Sequence, residues 1–95
     1  MVDRSFGEFI WDVTKEIANI RKHGIDFSTA AGAFGDSGRK LYMDSKHSIQ
    51  EPRYFCVAKV AGRIMTVRFL YRHGKIRIFG AGYWRKGVKL YEAPD

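Results

Sequence analysis

The 95-residue chain has one cysteine, Cys56, so it can build neither an internal disulfide nor a cysteine-based metal site. That thiol lies in an apolar, strand-like run and reads as buried and inert rather than nucleophilic, which suits a reducing compartment. No apolar run approaches the ~20 residues that cross a bilayer. The opening residues, with Asp3, Arg4 and Glu8, lack the pattern of a secretory signal. The expectation is a soluble, cytoplasmic protein without membrane contact. Also missing are a glycine-rich nucleotide loop, an HExxH pair, paired cysteines and a nucleophile elbow, so NTPase, metalloprotease, zinc-ribbon and hydrolase readings have no support. Gly80-Ala81-Gly82 lacks the lysine spacing of a P-loop. No metal site and no cofactor are expected. Without repeats, low-complexity tracts or linker-like breaks, residues 1–95 read as a single domain.

Acidic residues are the other scarcity. Ten Asp and Glu face seventeen Lys and Arg, a formal charge of +7, and the cations concentrate after residue 53. Such a balance points to a polyanion or an acidic protein as partner, with a merely solvated basic surface as the alternative.

Taken in order, Phe6 to Trp11 is short, aromatic and partly alternating, a strand that runs into Asp12 as a helix N-cap. Val13, Ile17 and Ile20 then form one apolar helical stripe. Lys22 and His23 suit the last turn, and Gly24 supplies the left-handed cap. Asp26 caps a second helix whose stripe is Phe27, Ala30, Ala31 and Phe34, ended by Gly35. Lys40 to Met43 reads as a short edge strand. Asp44-Ser45-Lys46-His47-Ser48 is an unpatterned polar loop, the kind of segment that carries functional groups beside a rigid sheet. After Pro52 come a strand over Arg53 to Val60 and a turn at Ala61-Gly62. Segregated helices and strands predict an α+β fold: strand, helix, helix, then an antiparallel meander of three to four strands and a short C-terminal helix from Lys86 to Glu92 at most.

The stretch from Arg63 to Tyr91 organises the rest. Pleating sends Met65, Val67, Phe69 and Tyr71 to one face of its first strand and Thr66, Arg68 and Leu70 to the other. Beyond a turn at His73-Gly74, Ile76 and Ile78 share one face and Lys75, Arg77 and Phe79 the opposite one. Both helices should cover the apolar face and leave the other partly open. If Arg68 and Arg77 share that open face, an anionic partner would offset their repulsion.

Cations, aromatics and one loop histidine remain as chemistry. Cleaving RNA without a metal requires a base for the 2′-hydroxyl, cations for the charge growing on phosphorus oxygens and an acid for the leaving 5′-oxygen. His23 suits a helix terminus and His73 a turn, which leaves His47 as the acid or base candidate. Tyr83 and Trp84 either pack against the end of the sheet or stack on a base while Arg85 and Lys86 hold phosphate.

The chain resembles the BrnT family of bacterial type II toxins, ribonucleases with a RelE-like fold. The resemblance runs through Trp11-Asp12, Lys15, Asn19 and Lys22-His23-Gly24, the Phe27 to Phe34 helix, His47-Ser48, Arg53, and Ile76-Arg77-Ile78 onward. Many members follow the last strand with Ser-Ala-Arg-Arg, or Lys in the last place, and a long basic helix. This chain instead has Gly80-Ala81-Gly82-Tyr83-Trp84-Arg85-Lys86-Gly87, a sub-group with its own ending. The usual arginine falls near Gly82, where Arg85 or Lys86 could substitute. The resemblance implies a metal-independent endoribonuclease that inhibits translation. It also implies a ribbon-helix-helix, BrnA-like antitoxin that holds the toxin inactive, bridges it through an antitoxin dimer and alone contacts operator DNA. On this reading His47, Arg77, Tyr83, Arg85 and Lys86 are the catalytic candidates, and Arg53, Arg68, Lys75, Trp84 and Lys89 bind RNA. A non-catalytic basic module that docks an acidic antitoxin or nucleic acid is the competing reading.

Overall fold

The computed structural model of the protein describes residues 3–94, of which residues 5 and 6 by their backbone alone. It is α+β, a six-stranded mixed sheet with three α-helices. The chain begins with a hairpin, β1 (Asp3–Phe6) and β2 (Phe9–Asp12), followed by α1 (Val13–His23) and α2 (Phe27–Ala31), which ends in a 3-10 turn over Gly32–Gly35. Then come β3 (Lys40–Met43), β4 (Tyr54–Val60), β5 (Arg63–Arg72), β6 (Lys75–Gly82) and α3 (Arg85–Glu92). The spatial order is β1-β2-β6-β5-β4-β3.

Two features depart from the sequence reading of the sheet. The single strand expected over Phe6 to Trp11 is a hairpin, because Gly7 takes φ +61° and reverses the chain where only glycine does so without strain. The sheet is also not wholly antiparallel, since β2 runs parallel to β6, with Trp11 beside Ile78. The chain between them runs through both helices and then through β3, β4 and β5 before β6 comes to lie beside β2, the long connection that a parallel pair needs.

Asp12 and Asp26 cap α1 and α2 by accepting from Thr14 N (2.8 Å) and Thr29 N (3.2 Å). Gly24 ends α1 at φ +71° with its N–H on Ile20 O. The buried face of α1 differs from the expected stripe. Ile17 and Ile20 are 45% and 44% exposed, whereas Glu16 and Asn19 are 8% exposed. The cause is hydrogen bonding. Glu16 accepts from Trp11 Nε1 at 3.0 Å and Phe27 N at 2.9 Å. Asn19 donates to Ile25 O at 3.0 Å and accepts from Ala81 N at 3.1 Å. Buried donors and acceptors left unmatched would cost about 1–3 kcal/mol each, enough to turn polar residues inward and leave isoleucines outside.

The α1 and α2 side of the sheet holds the core, with Met65, Val67, Phe69 and Ile78 fully buried against Trp11, Phe27, Ala30 and Ala33. Cys56 is buried there as well, and burial pushes its thiol pKa up to about 12. The opposite face is partly covered by α3, whose Gly87 lies on Thr66 and Val57, a cross-strand pair. Lys40 Nζ donates to Leu90 O at 3.2 Å and Ala93 O at 2.7 Å, fixing the C-terminal end of α3. A register shift between Arg68 and Phe69 leaves Phe79 unpaired, so that Gly80 opposes Arg68 and Ala81 returns to the core beside Val67.

A candidate groove between the 44–48 loop and α3

Asp44 to Ser48 is an ordered loop. Ser48 Oγ donates to Asp44 O at 2.6 Å and accepts from Arg53 N at 2.9 Å, while Asp44 N donates to Arg53 O at 2.7 Å. A 3-10 turn over Ser45–His47 then carries His47 at its end. His47 Nδ1 lies 2.8 Å from Asp44 Oδ2, with the histidine side chain 57% exposed. An ionised carboxylate only accepts, so Nδ1 carries the proton and Nε2 is the nitrogen able to accept one. Partial burial works to raise the Asp44 pKa, but the hydrogen bond from His47 and the charges of His47, Arg68 and Lys86 outweigh it and hold the carboxyl below its ordinary 3.8.

Across from this loop lies the start of α3. A groove of ≈ 440 Å³ separates them, lined by Asp44, His47, Phe55, Arg68, Trp84 and Lys86 among others. Lys86 Nζ stands 5.7 Å from the centre of the Phe55 ring. Arg68 and Arg53 both lie over Phe79, at 5.0 and 5.1 Å from its centroid. An aromatic face offsets part of the cost of holding two guanidinium groups near each other. The Trp84 ring rests on Gly82, where an added Cβ would come within 2.5 Å of the indole. The missing side chain at Gly82 therefore gives the indole its place.

Of the ten residues expected at the site, the structure gathers His47, Lys86, Arg68 and Trp84 in this groove. Arg53 adjoins it through Phe79 and lines a smaller recess with His47. The other five lie elsewhere. Arg77 does share the open face with Arg68, but its anionic partner is internal: Nη2 donates to Asp3 Oδ1 at 2.9 Å. That bond raises the Arg77 pKa and lowers that of Asp3. Lys75 reaches Gly7 O at 3.4 Å at the far end of the sheet. Tyr83 is stacked beneath Arg63, 3.6 Å from guanidinium carbon to ring centre. Arg85 and Lys89 are exposed on α3 and do not line the groove. Sequence reasoning missed Asp44, Phe55 and Phe79. An aspartate three residues before the loop histidine was the available signal for the first.

Among the described residues no helix is long and apolar enough to cross a membrane. Comparison with known families matches residues 11–87 to the family described as "Ribonuclease toxin, BrnT, of type II toxin-antitoxin system". Comparison with curated proteins gives no match.

Proposed function

The chain belongs to the BrnT family of type II toxin-antitoxin ribonuclease toxins, and from that premise we propose that it cleaves RNA in the groove between the 44–48 loop and α3. The observation that carries this reading is the Asp44–His47 pair, 2.8 Å apart, in a groove that also holds Arg68 and Lys86. His47 Nε2 takes the proton of a ribose 2′-hydroxyl, and the 2′-oxygen attacks the adjacent phosphorus. The bond to the 5′-oxygen breaks, leaving a 2′,3′-cyclic phosphate and a 5′-hydroxyl whose proton comes from the solvent of this open groove. Arg68 and Lys86 stabilise the charge that grows on the phosphorus oxygens. Lys86, rather than Arg85, takes the part of the missing arginine.

The reaction is metal-independent on this reading, because the groove offers cations to the phosphate and its carboxylate is engaged by histidine. The RelE-like description of the fold fits α1 and α2 on one face of the sheet and a short basic helix across the other. The same reading includes translation inhibition in the cytoplasm and neutralisation by a ribbon-helix-helix antitoxin dimer; the family supports an antitoxin as partner, and the +7 charge suits an acidic one.

The test is cleavage of a generic RNA in the presence of a chelator, with the product ends identified. His47→Ala should lower the rate at least ~10²-fold, and Lys86→Ala by a similar factor. Full activity in the double variant overturns the assignment. Tight, salt-dependent binding without cleavage favours the non-catalytic module.

A further inference from the structure

A second basic concavity lies beside the groove and shares a wall with it. Because β2 ends at the level of Ile78, the last residues of β6 have no strand on that side. Their edge faces α1, where Asn19 occupies Ala81 N–H. The result is a recess of ≈ 230 Å³ with Phe79 and Gly80 in its lining, flanked by Lys15, Lys22 and His23 of α1 and by Arg68 and Trp84. Lys15 and Lys22 are seven residues apart and so lie on one helix face. Among the described residues neither side chain has a hydrogen bond or ion pair, and no carboxylate lines the recess. Clustered, uncompensated cations of this kind raise the local potential and favour a polyanion.

Arg68 and Trp84 belong to both concavities. The indole is held edge-on by His23, with ring centres 5.3 Å apart, and is about one-third exposed. A chain of phosphates that leaves the groove past Arg68 therefore meets Lys22 and Lys15 next, with an aromatic face for a base between them.

Resting on the ribonuclease reading, we propose that this recess along α1 is a second RNA subsite. It takes single-stranded RNA flanking the scissile phosphate, with two phosphates at Lys15 and Lys22 and a base against Trp84. A continuous strand, rather than an isolated anion, is the ligand that uses both concavities at once.

The experiment measures binding of 2′-O-methyl RNA of three and eight nucleotides, which cannot be cleaved, by anisotropy across a salt series. It compares the wild type with the Lys15→Ala/Lys22→Ala variant, both positions being exposed on α1. The wild type should bind the eight-mer at least tenfold more tightly than the three-mer. The variant should lose that gain, and its salt slope for the eight-mer should fall by about 1.4, the value for two phosphates of a single strand. Identical slopes and affinities for the two proteins overturn the subsite. So does an unchanged RNA affinity accompanied by weaker binding of poly-L-glutamate, which would assign the recess to an acidic protein. Failure of the wild type to bind either RNA overturns the subsite and, together with absent cleavage, the catalytic reading as well. Cleavage of generic RNA, run alongside, separates them. Intact cleavage with identical slopes removes only the subsite, and absent cleavage with the length dependence intact removes only the catalytic reading.

Discussion

Asn19 Oδ1 accepts a hydrogen bond from Ala81 N at 3.1 Å, standing in for a neighbouring strand where β2 has ended. Its amide nitrogen donates to Ile25 O at 3.0 Å, so one side chain ties the end of β6 to the link between α1 and α2. Removing it leaves a buried N–H and a buried carbonyl unmatched, at about 1–3 kcal/mol each. Asn19→Ala should therefore lower unfolding stability by about 3 kcal/mol, measured by urea denaturation. An effect within ~0.5 kcal/mol, typical of surface changes, would mean that water replaces both contacts.

The same residue marks how far the sequence could be read. Capping residues were legible because their chemistry is local: Asp12, Asp26 and Gly24 act on neighbours within four positions. The core faces of β5 and β6 were legible from alternation, apart from the return of Ala81 to the core, which depends on an unpaired Phe79 that no periodicity announces. The buried face of α1 was not legible, since the partners that draw Glu16 and Asn19 inward, Phe27 and Ala81, lie 11 and 62 residues away. Within the site, the loop histidine and the cations Arg68 and Lys86 were visible as residue types. The loss of Arg77 to Asp3 was not, because it depends on an N-terminal strand, Asp3–Phe6, ahead of the single strand that the pattern marked over Phe6 to Trp11.

Gly87 shows why a helix of eight residues tolerates a poor helix former near its start. An added Cβ would overlap Thr66 Oγ1, so the close approach of α3 to the sheet depends on its absence. That hydroxyl is itself buried and has no hydrogen-bond partner among the described residues. Gly87→Ala should destabilise by about 1–3 kcal/mol through overpacking. Adding Thr66→Ala should recover a substantial part of the loss, because the remaining neighbours stand at 3.3 Å and beyond. Strict additivity of the two changes in a thermal-melt double-mutant cycle would refute the direct contact.

Acid sensitivity should centre on Asp36. Its carboxyl accepts from Lys59 N at 2.8 Å, from the Tyr91 hydroxyl at 2.8 Å and from Gly38 N at 3.1 Å. These bonds, with Lys59 N the strongest, hold its pKa below the ordinary 3.8. A depressed folded-state pKa contributes stability above the unfolded value, and that contribution is lost as pH falls through the folded one. Asp36→Asn should therefore lower the melting temperature at pH 7, and the two curves should converge as pH falls through the depressed folded-state pKa, below 3.8. A constant offset across the acid range would contradict this. The same contact raises the Tyr91 pKa above 10.0, so its share fades only in strong alkali.

Asp44 offers the sharpest separation of binding from chemistry. The carboxylate fixes the proton on His47 Nδ1 at 2.8 Å and leaves Nε2 for the proposed role of base, yet it also places a negative charge near Arg68 and Lys86. Asn cannot perform the first task with the same effect, because its amide can donate to Nδ1 and stabilise the wrong tautomer. It also removes the second influence. Asp44→Asn should thus lower single-turnover RNA cleavage by about 10²-fold, within the range for general base catalysis, while non-cleavable RNA binds equally well or more tightly. Because the pKa of Asp44 lies below 3.8, the wild-type carboxylate is ionised at neutral pH, where the contrast should be measured. Parallel losses of affinity and rate would instead make Asp44 a prop for the loop. Unchanged cleavage with tighter binding would take His47 out of the proton transfer.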